Sequence, residues 1–72
     1  MTIEKVTLST ARKHAGLTQK KLANLCGVSV STIANWENYK SEPTVSQAQM
    51  LGKICGINYD DIIFLPQNTV KP

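Results

Sequence analysis

The sequence predicts an all-α fold, in which five short helices enclose one small hydrophobic core. Within the predicted helices, apolar residues recur three and four positions apart, which is the spacing of one helix face. A serine, threonine or asparagine stands before each segment, where its side chain can cap the first turn, and glycine follows three of the segments. The chain has 72 residues, 42% of them hydrophobic, which is enough for one domain of this kind.

The first three helices are defined by their caps and by the glycines that follow them. They are predicted at residues 8–15, 19–26 and 30 to about 38. Their capping residues are Thr7, Thr18 and Ser29. Gly16 and Gly27 end the first two helices. The residues expected to face the core are Leu8, Ala11, Ala15, Leu22, Ala23, Cys26, Ile33 and Trp36.

Two further helices are predicted in the second half of the chain. Thr44 and Gln47 form a capping box before a fourth helix at residues 45–55. Asn58 is expected to cap a fifth helix at residues 59–64. The predicted organisation is an N-terminal arm at residues 1–6, a domain at 7–65 and a flexible tail at 66–72. Within the arm, the pattern at 3–6 leaves open an arm, a short strand or an early helical turn.

Side chains that carry catalysis or bind metals are few. His14 is the only histidine, and Cys26 and Cys55 stand in apolar surroundings without a nearby partner. We expect two reduced cysteines that pack as small apolar side chains, in preference to a disulfide. Asp60 and Asp61 are adjacent, so on a helix they point apart. The sequence therefore predicts no enzyme, no metal and no cofactor.

The apolar runs are short. The longest, residues 62–65, is far below the ~20 residues that a membrane span requires. The N-terminus lacks the apolar stretch of a secretory signal. We expect a cytoplasmic protein with no membrane partner.

Positive charge is concentrated in the first half of the chain. The net charge is +3, and residues 12–40 hold five lysine or arginine side chains against Glu37 alone. Residues 53–72 hold equal numbers of cations and anions. This asymmetry fits a face that binds a polyanion, and it also fits lysines that solvate a helical surface. Charge alone does not decide between the two.

The order of short motifs between residues 16 and 43 is specific. These motifs are Gly16-Leu17-Thr18-Gln19, Lys21-Leu22-Ala23, Gly27-Val28-Ser29, Thr32-Ile33, Trp36-Glu37-Asn38 and Pro43. In this order they resemble the helix-turn-helix family of lambdoid phage repressors and Cro proteins, over residues 7–65. The resemblance implies a compact, five-helix domain like that of the lambda repressor, which binds DNA.

The resemblance also implies that the third helix lies in the major groove and reads base edges. The residues it assigns to base reading are Val30, Ser31, Thr32, Ala34 and Asn35. Asn35 suits an adenine edge and Val30 a thymine methyl group. The reading face lacks arginine and glutamine, so it also fits weak DNA binding or packing against a protein.

Other positions are assigned by the same resemblance to the DNA backbone and to the fold. The phosphate contacts it implies are Gln19, Lys20, Ser29, Asn38, Tyr39 and Lys40, with charge added by Lys21. Arg12 and Glu37 match positions that often form an ion pair in the family, although both could also be surface charges. Tyr39 departs from the family, which usually has glycine there. Asn38 is expected to supply the left-handed cap in its place.

The sequence leaves several functions open. The first is a transcriptional regulator of a phage or prophage genetic switch, which binds a double-stranded DNA operator. The second is an antirepressor or modulator that binds the cognate phage repressor protein, with Leu25 and Val30 as candidate contacts. An antitoxin that regulates its own operon is a variant of the first. A weak homodimer through the fourth and fifth helices would place two copies on a palindrome.

Overall fold

Four α-helices account for most of residues 5–64, which are the residues that the computed structural model describes. They are α1 (Leu8–His14), α2 (Gln19–Cys26), α3 (Val30–Glu37) and α4 (Val45–Cys55). A 3₁₀ turn at Tyr59–Asp61 follows, and two short strands are present, β1 (Val6–Thr7) and β2 (Ile62–Ile63). The strands pair in parallel, with Val6 opposite Ile62. The predicted mostly helical fold is confirmed.

The predicted fifth helix at residues 59–64 is wrong. Asn58 caps a single 3₁₀ turn, and its Oδ1 accepts a hydrogen bond from the amide of Asp60 at 3.1 Å. The chain then becomes extended at Ile62, which is buried and pairs with β1 at the other end of the chain. β-branched side chains favour this extended conformation. Residues 1–4 and the predicted tail at 66–72 lie outside the described residues.

Each α-helix begins directly after the residue that the sequence marks as its cap. The side chains of Thr7, Thr18, Ser29 and Thr44 each accept a hydrogen bond from the amide three residues further on. In α4 the capping box is complete, because the amide of Thr44 also donates to Gln47 Oε1 at 2.8 Å. Such caps satisfy amides that lack a partner within the helix. They fix where each helix starts.

All four α-helices and β2 contribute to one core. The buried cluster consists of Leu8, Ala11, Leu22, Ala23, Ile33, Trp36, Leu51, Cys55 and Ile62. Ala15 was expected in this core but is exposed, because α1 ends at His14 and Ala15 is its C-cap. Within residues 5–64, no helix combines the length and apolar content needed to cross a membrane.

The two cysteines are free thiols on the inner side of the helices. Cys26 is half-buried against the core and Cys55 is buried. Burial raises the pKa of both thiols, and proximity to Cys26 raises the pKa of Cys55 further. Both side chains are therefore protonated at neutral pH and pack as small apolar groups.

Gly52 allows the chain after α4 to fold back tightly on the helix. A Cβ at this position would lie 2.7 Å from the carbonyl oxygen of Ile57 and 3.0 Å from the amide nitrogen of Tyr59. Both neighbours are backbone atoms, so only glycine fits without movement of the chain. The turn that leads to β2 thus depends on Gly52.

Candidate nucleic-acid interface

α2 and α3 are joined by a tight turn. Gly27 adopts a left-handed conformation with φ +74°, and the amide of Val28 donates to the carbonyl of Ala23 at 3.0 Å. Ala23 is fully buried, and its small side chain permits close packing of the two helices. Val28 is half-buried and packs against the core, so the turn is anchored from inside. The result is a pair of short helices whose connecting turn packs against the core.

α3 has one face in the core and one face open to solvent. Ile33 and Trp36 are buried, with 0% and 3% of their surfaces exposed. Val30, Ser31 and Asn35, three of the five residues predicted to read bases, are exposed. The other two, Thr32 and Ala34, are half-buried. The open face therefore presents one small apolar group, one hydroxyl and one carboxamide.

Ser29 and Thr32 are engaged with each other at the start of α3. The Oγ of Ser29 accepts from the amide of Thr32 at 3.1 Å and lies 2.9 Å from the Thr32 hydroxyl. These contacts fix the first turn of α3. A DNA oxygen at this point would share hydroxyl groups that already have partners within the protein.

The structure brings together the two residues of the predicted ion pair. Arg12 Nε lies 2.6 Å from Glu37 Oε2, and Arg12 Nη2 donates to Oε1 at 3.3 Å. Arg12 Nη1 also donates to the carbonyl oxygen of Leu17 at 2.9 Å. The side chains of Arg12 and Glu37 are only 11% and 7% exposed. The pair therefore ties α1 and the loop after it to the end of α3.

Gln19 makes a contact that the sequence did not predict. Its Nε2 donates to Glu37 Oε1 at 2.9 Å, so Glu37 accepts hydrogen bonds from both Arg12 and Gln19. This bond holds the first turn of α2 beside the last turn of α3. We call this region the Glu37 corner, and it consists of Gln19, Lys20, Glu37, Asn38, Tyr39 and Lys40. The two residues are 18 positions apart and lie on different helices, so no pattern within either helix predicts this bond.

The Glu37 corner carries exposed positive charge. Lys20 and Lys40 are both exposed, as are Lys21 and Asn38 close to them in the chain. The carboxylate of Glu37 is occupied by the guanidinium of Arg12 and by Gln19. The free charges at the corner are therefore cationic. Five of the six residues predicted to contact phosphate lie here, and Ser29 lies at the other end of α3.

The end of α3 differs from the ends of the other helices. Gly16, Gly27 and Gly56 follow α1, α2 and α4, and each has φ +74°. Tyr39 takes this place after α3, with φ +61°, and is the one non-glycine residue with positive φ among residues 5–64. The left-handed conformation costs a non-glycine residue about 1–2 kcal/mol.

The prediction that Asn38 supplies this left-handed cap is wrong. Asn38 has φ −95° and ψ 7°, and its amide still donates to the carbonyl of Ala34 at 2.9 Å. The amide of Tyr39 donates to Trp36 at 3.2 Å, and that of Lys40 donates to Asn35 at 2.8 Å. This pair of hydrogen bonds is the Schellman arrangement, which makes the residue after the C-cap left-handed. The hydrogen-bond register thus overrides the preference of asparagine.

Two apolar side chains are exposed on either side of the turn between α2 and α3. Leu25 is 51% exposed and Val30 is 41% exposed. They lie at the end of α2 and the start of α3, respectively. The structure therefore leaves both candidate partner contacts accessible to solvent.

These features define a small helical domain built around two helices that meet at a tight turn. The model of the helix-turn-helix family matches residues 8–62, and the chain belongs to this family. It is similar to the HTH-type transcriptional regulator PuuR of Escherichia coli (strain K12) and of Shigella flexneri, with 32% identity over 65 residues in each case. The match covers 90% of this chain and 35% of each relative, so the chain spans about a third of their length. No solved structure matches the chain.

Proposed function

We propose that the chain is a sequence-specific transcriptional regulator that binds double-stranded DNA with α3 in the major groove. The observation that carries this proposal is the division of α3 into a buried face at Ile33 and Trp36 and an open face at Val30, Ser31 and Asn35. A helix held in this way can present its open side chains to base edges. The relatives named as transcriptional regulators support the same function.

In this proposal the open face of α3 contacts bases, and the Glu37 corner contacts phosphates. The carboxamide of Asn35 suits the paired donor and acceptor of an adenine edge, and Val30 suits a thymine methyl group. The cations Lys20 and Lys40 suit phosphates, which orient the domain without reading sequence. Because Gln19 and Arg12 hold Glu37, its carboxylate does not oppose the approach of the DNA backbone.

One copy of this domain offers few base contacts. A small set of short side chains gives limited discrimination, so we propose that two copies bind the two halves of a palindromic operator. The resemblance to phage repressors and Cro proteins favours a phage or prophage genetic switch as the setting. Binding to DNA as a homodimer, weak in the absence of DNA, belongs to this proposal.

Asn35→Ala is expected to weaken binding to the preferred operator by about 1–3 kcal/mol, because the carboxamide contact to one base is lost. The measurement is fluorescence anisotropy with a duplex selected by the wild-type chain from a random-sequence pool. Specificity at one base pair should relax at the same time. Asn24→Ala, which removes an exposed carboxamide from α2, is the control and should bind normally. Equal losses for selected and scrambled duplexes would remove Asn35 from base reading.

Lys40→Ala is expected to weaken binding to all duplexes alike, because a phosphate contact carries no sequence information. A plot of log Kd against log salt concentration should lose about one unit of slope. Lys53→Ala, which removes an exposed lysine from α4, should leave the slope unchanged. If both variants keep the wild-type slope, Lys40 does not contact phosphate.

A second function is favoured by the exposure of Leu25 and Val30. A modulator that captures a repressor protein would use such apolar side chains at the turn between α2 and α3. The two functions differ in what the isolated chain does. A regulator of the first kind selects DNA sequences by itself, whereas a modulator of the second kind needs its repressor.

A further inference from the structure

A cavity of about 580 Å³ opens beside the second half of α4 and the segment that follows it. Its apolar lining comes from Gly52, Gly56, Ile57 and Tyr59, and its polar lining comes from Gln49, Lys53 and Asn58. We call it the α4 cavity. Its volume lies within the range of about 300–1,000 Å³ that is typical of small-molecule sites.

Two glycines one helical turn apart leave space on this side of α4. Gly52 lets the chain after α4 fold back on the helix, because a Cβ there would meet the carbonyl oxygen of Ile57 at 2.7 Å. Gly56 has no atom within 4 Å of the position that a Cβ would take, so the space beside it is open. Ile57 and Tyr59 are half-buried, so part of each side chain still meets water. An apolar group in the α4 cavity would displace that water from apolar surface, which is favourable.

The polar residues of the α4 cavity are hydrogen-bond donors without an opposing negative charge. The exposed side chains of Gln49 and Lys53 have no hydrogen-bond or ion-pair partner in the described part of the chain. Asn58 accepts a hydrogen bond through Oδ1, so its carboxamide nitrogen is left to donate. The two carboxylates of the following 3₁₀ turn, Asp60 and Asp61, are not part of the lining. One cation and two carboxamides thus face a ligand, and they suit an anionic oxygen.

We propose that the α4 cavity binds a small carboxylic acid in its ionised form, with an apolar body. The carboxylate pairs with Lys53, and the apolar body covers Ile57 and Tyr59. None of the lining residues belongs to α2 or α3, so such a ligand does not compete with DNA for the same side chains. The site therefore goes beyond the proposed function and does not depend on it.

The test is a titration of the isotope-labelled chain with cinnamate, followed by amide chemical shifts. Cinnamate combines a flat apolar body with one carboxylate. The amides of Gly52, Gly56 and Ile57 should shift and saturate together, with a Kd of about 1 mM, as expected for a ligand of this size. Cinnamamide has the same shape without the charge, so its Kd should be about threefold higher.

Two variants at exposed positions of α4 test the role of charge. Lys53→Gln should raise the Kd for cinnamate about threefold and leave that for cinnamamide unchanged, because only the ion pair is lost. Gln49→Glu should raise the Kd for cinnamate by a similar factor, because it adds a like charge to the lining. Lys21→Gln removes an exposed lysine from α2 and is the matched control, with wild-type affinity for cinnamate. The same spectra show whether each variant is folded.

Three results would overturn this inference. The first is the absence of saturable shifts at Gly52, Gly56 and Ile57. The second is equal affinity for cinnamate and cinnamamide, which would show that the carboxylate is not recognised. The third is a shift of the same amides with protein concentration alone and no further change with cinnamate, because a second copy of the chain would then cover the α4 cavity. Each of them leaves DNA binding by α3 untouched, so failure here is distinguishable from failure of the proposed function.

Discussion

Glu37→Ala is expected to lower the free energy of unfolding by about 3 kcal/mol. The carboxylate accepts hydrogen bonds from Arg12 and Gln19, and its side chain is only 7% exposed. Its removal leaves the largely buried guanidinium of Arg12 without an opposite charge. An unpaired buried charge strongly destabilises the folded state. The substitution also releases the hydrogen bond that holds α2 beside the end of α3.

Urea unfolding followed by the fluorescence of Trp36, the only tryptophan, measures this loss. Glu42→Ala is the matched control, because Glu42 is exposed and such changes stay within about 0.5 kcal/mol. The double variant in which Arg12 and Glu37 are both replaced by methionine should recover much of the stability, because no unpaired charge remains. Equal stability of Glu37→Ala and Glu42→Ala would show that the network at Glu37 contributes nothing.

Gly52→Val is expected to destabilise the fold by about 3 kcal/mol, because the added side chain forces the backbone to shift. A Cβ at this position meets backbone atoms of Ile57 and Tyr59 at 2.7 and 3.0 Å, and backbone cannot rotate away as a side chain can. The turn must therefore move away from α4, and β2 must move with it. Chemical-shift changes at Val6 and Ile62 should accompany the loss of stability.

Ser46→Val is the control for this prediction. It places the same side chain at an exposed position of α4, so it tests helix propensity without the clash. Its effect should stay within about 0.5 kcal/mol. If Gly52→Val is as stable as Ser46→Val, the chain after α4 does not need the close approach at Gly52.

Local signals predict most of the helical architecture. The side chains of Thr7, Thr18, Ser29 and Thr44 cap the four helices at the expected positions. Capping depends on residues within one turn, so the sequence contains all the information that it requires. For the same reason α2 and α4 have the predicted bounds, Gln19–Cys26 and Val45–Cys55.

The errors arise where distant residues decide the conformation. Residues 59–64 contain a run of apolar residues too short to separate helix from strand. Ile62 pairs with Val6 at the other end of the chain, and this pairing makes the segment a strand. Gly52 is a local signal of close packing, because a glycine inside a helix lowers stability and usually has a packing reason.

The candidate site shows the same division between local and distant effects. The family resemblance assigns Val30, Ser31 and Asn35 to the side of α3 that reads bases, and all three are exposed. The hydrogen bond between Gln19 and Glu37 joins two helices, so no pattern within either helix contains it. The contacts of the open face of α3 and of the Glu37 corner with DNA remain predictions, because the positions of bases and phosphates are properties of a complex.

Selection of duplexes from a random-sequence DNA pool by the purified chain tests the central claim most directly. We expect enrichment of one short motif, arranged as a palindrome, and loss of that enrichment when Asn35 is replaced by alanine. Recovery of duplexes without any sequence preference would contradict it. In that case α3 does not read DNA in the isolated chain, and capture of a repressor protein through Leu25 and Val30 becomes the better account.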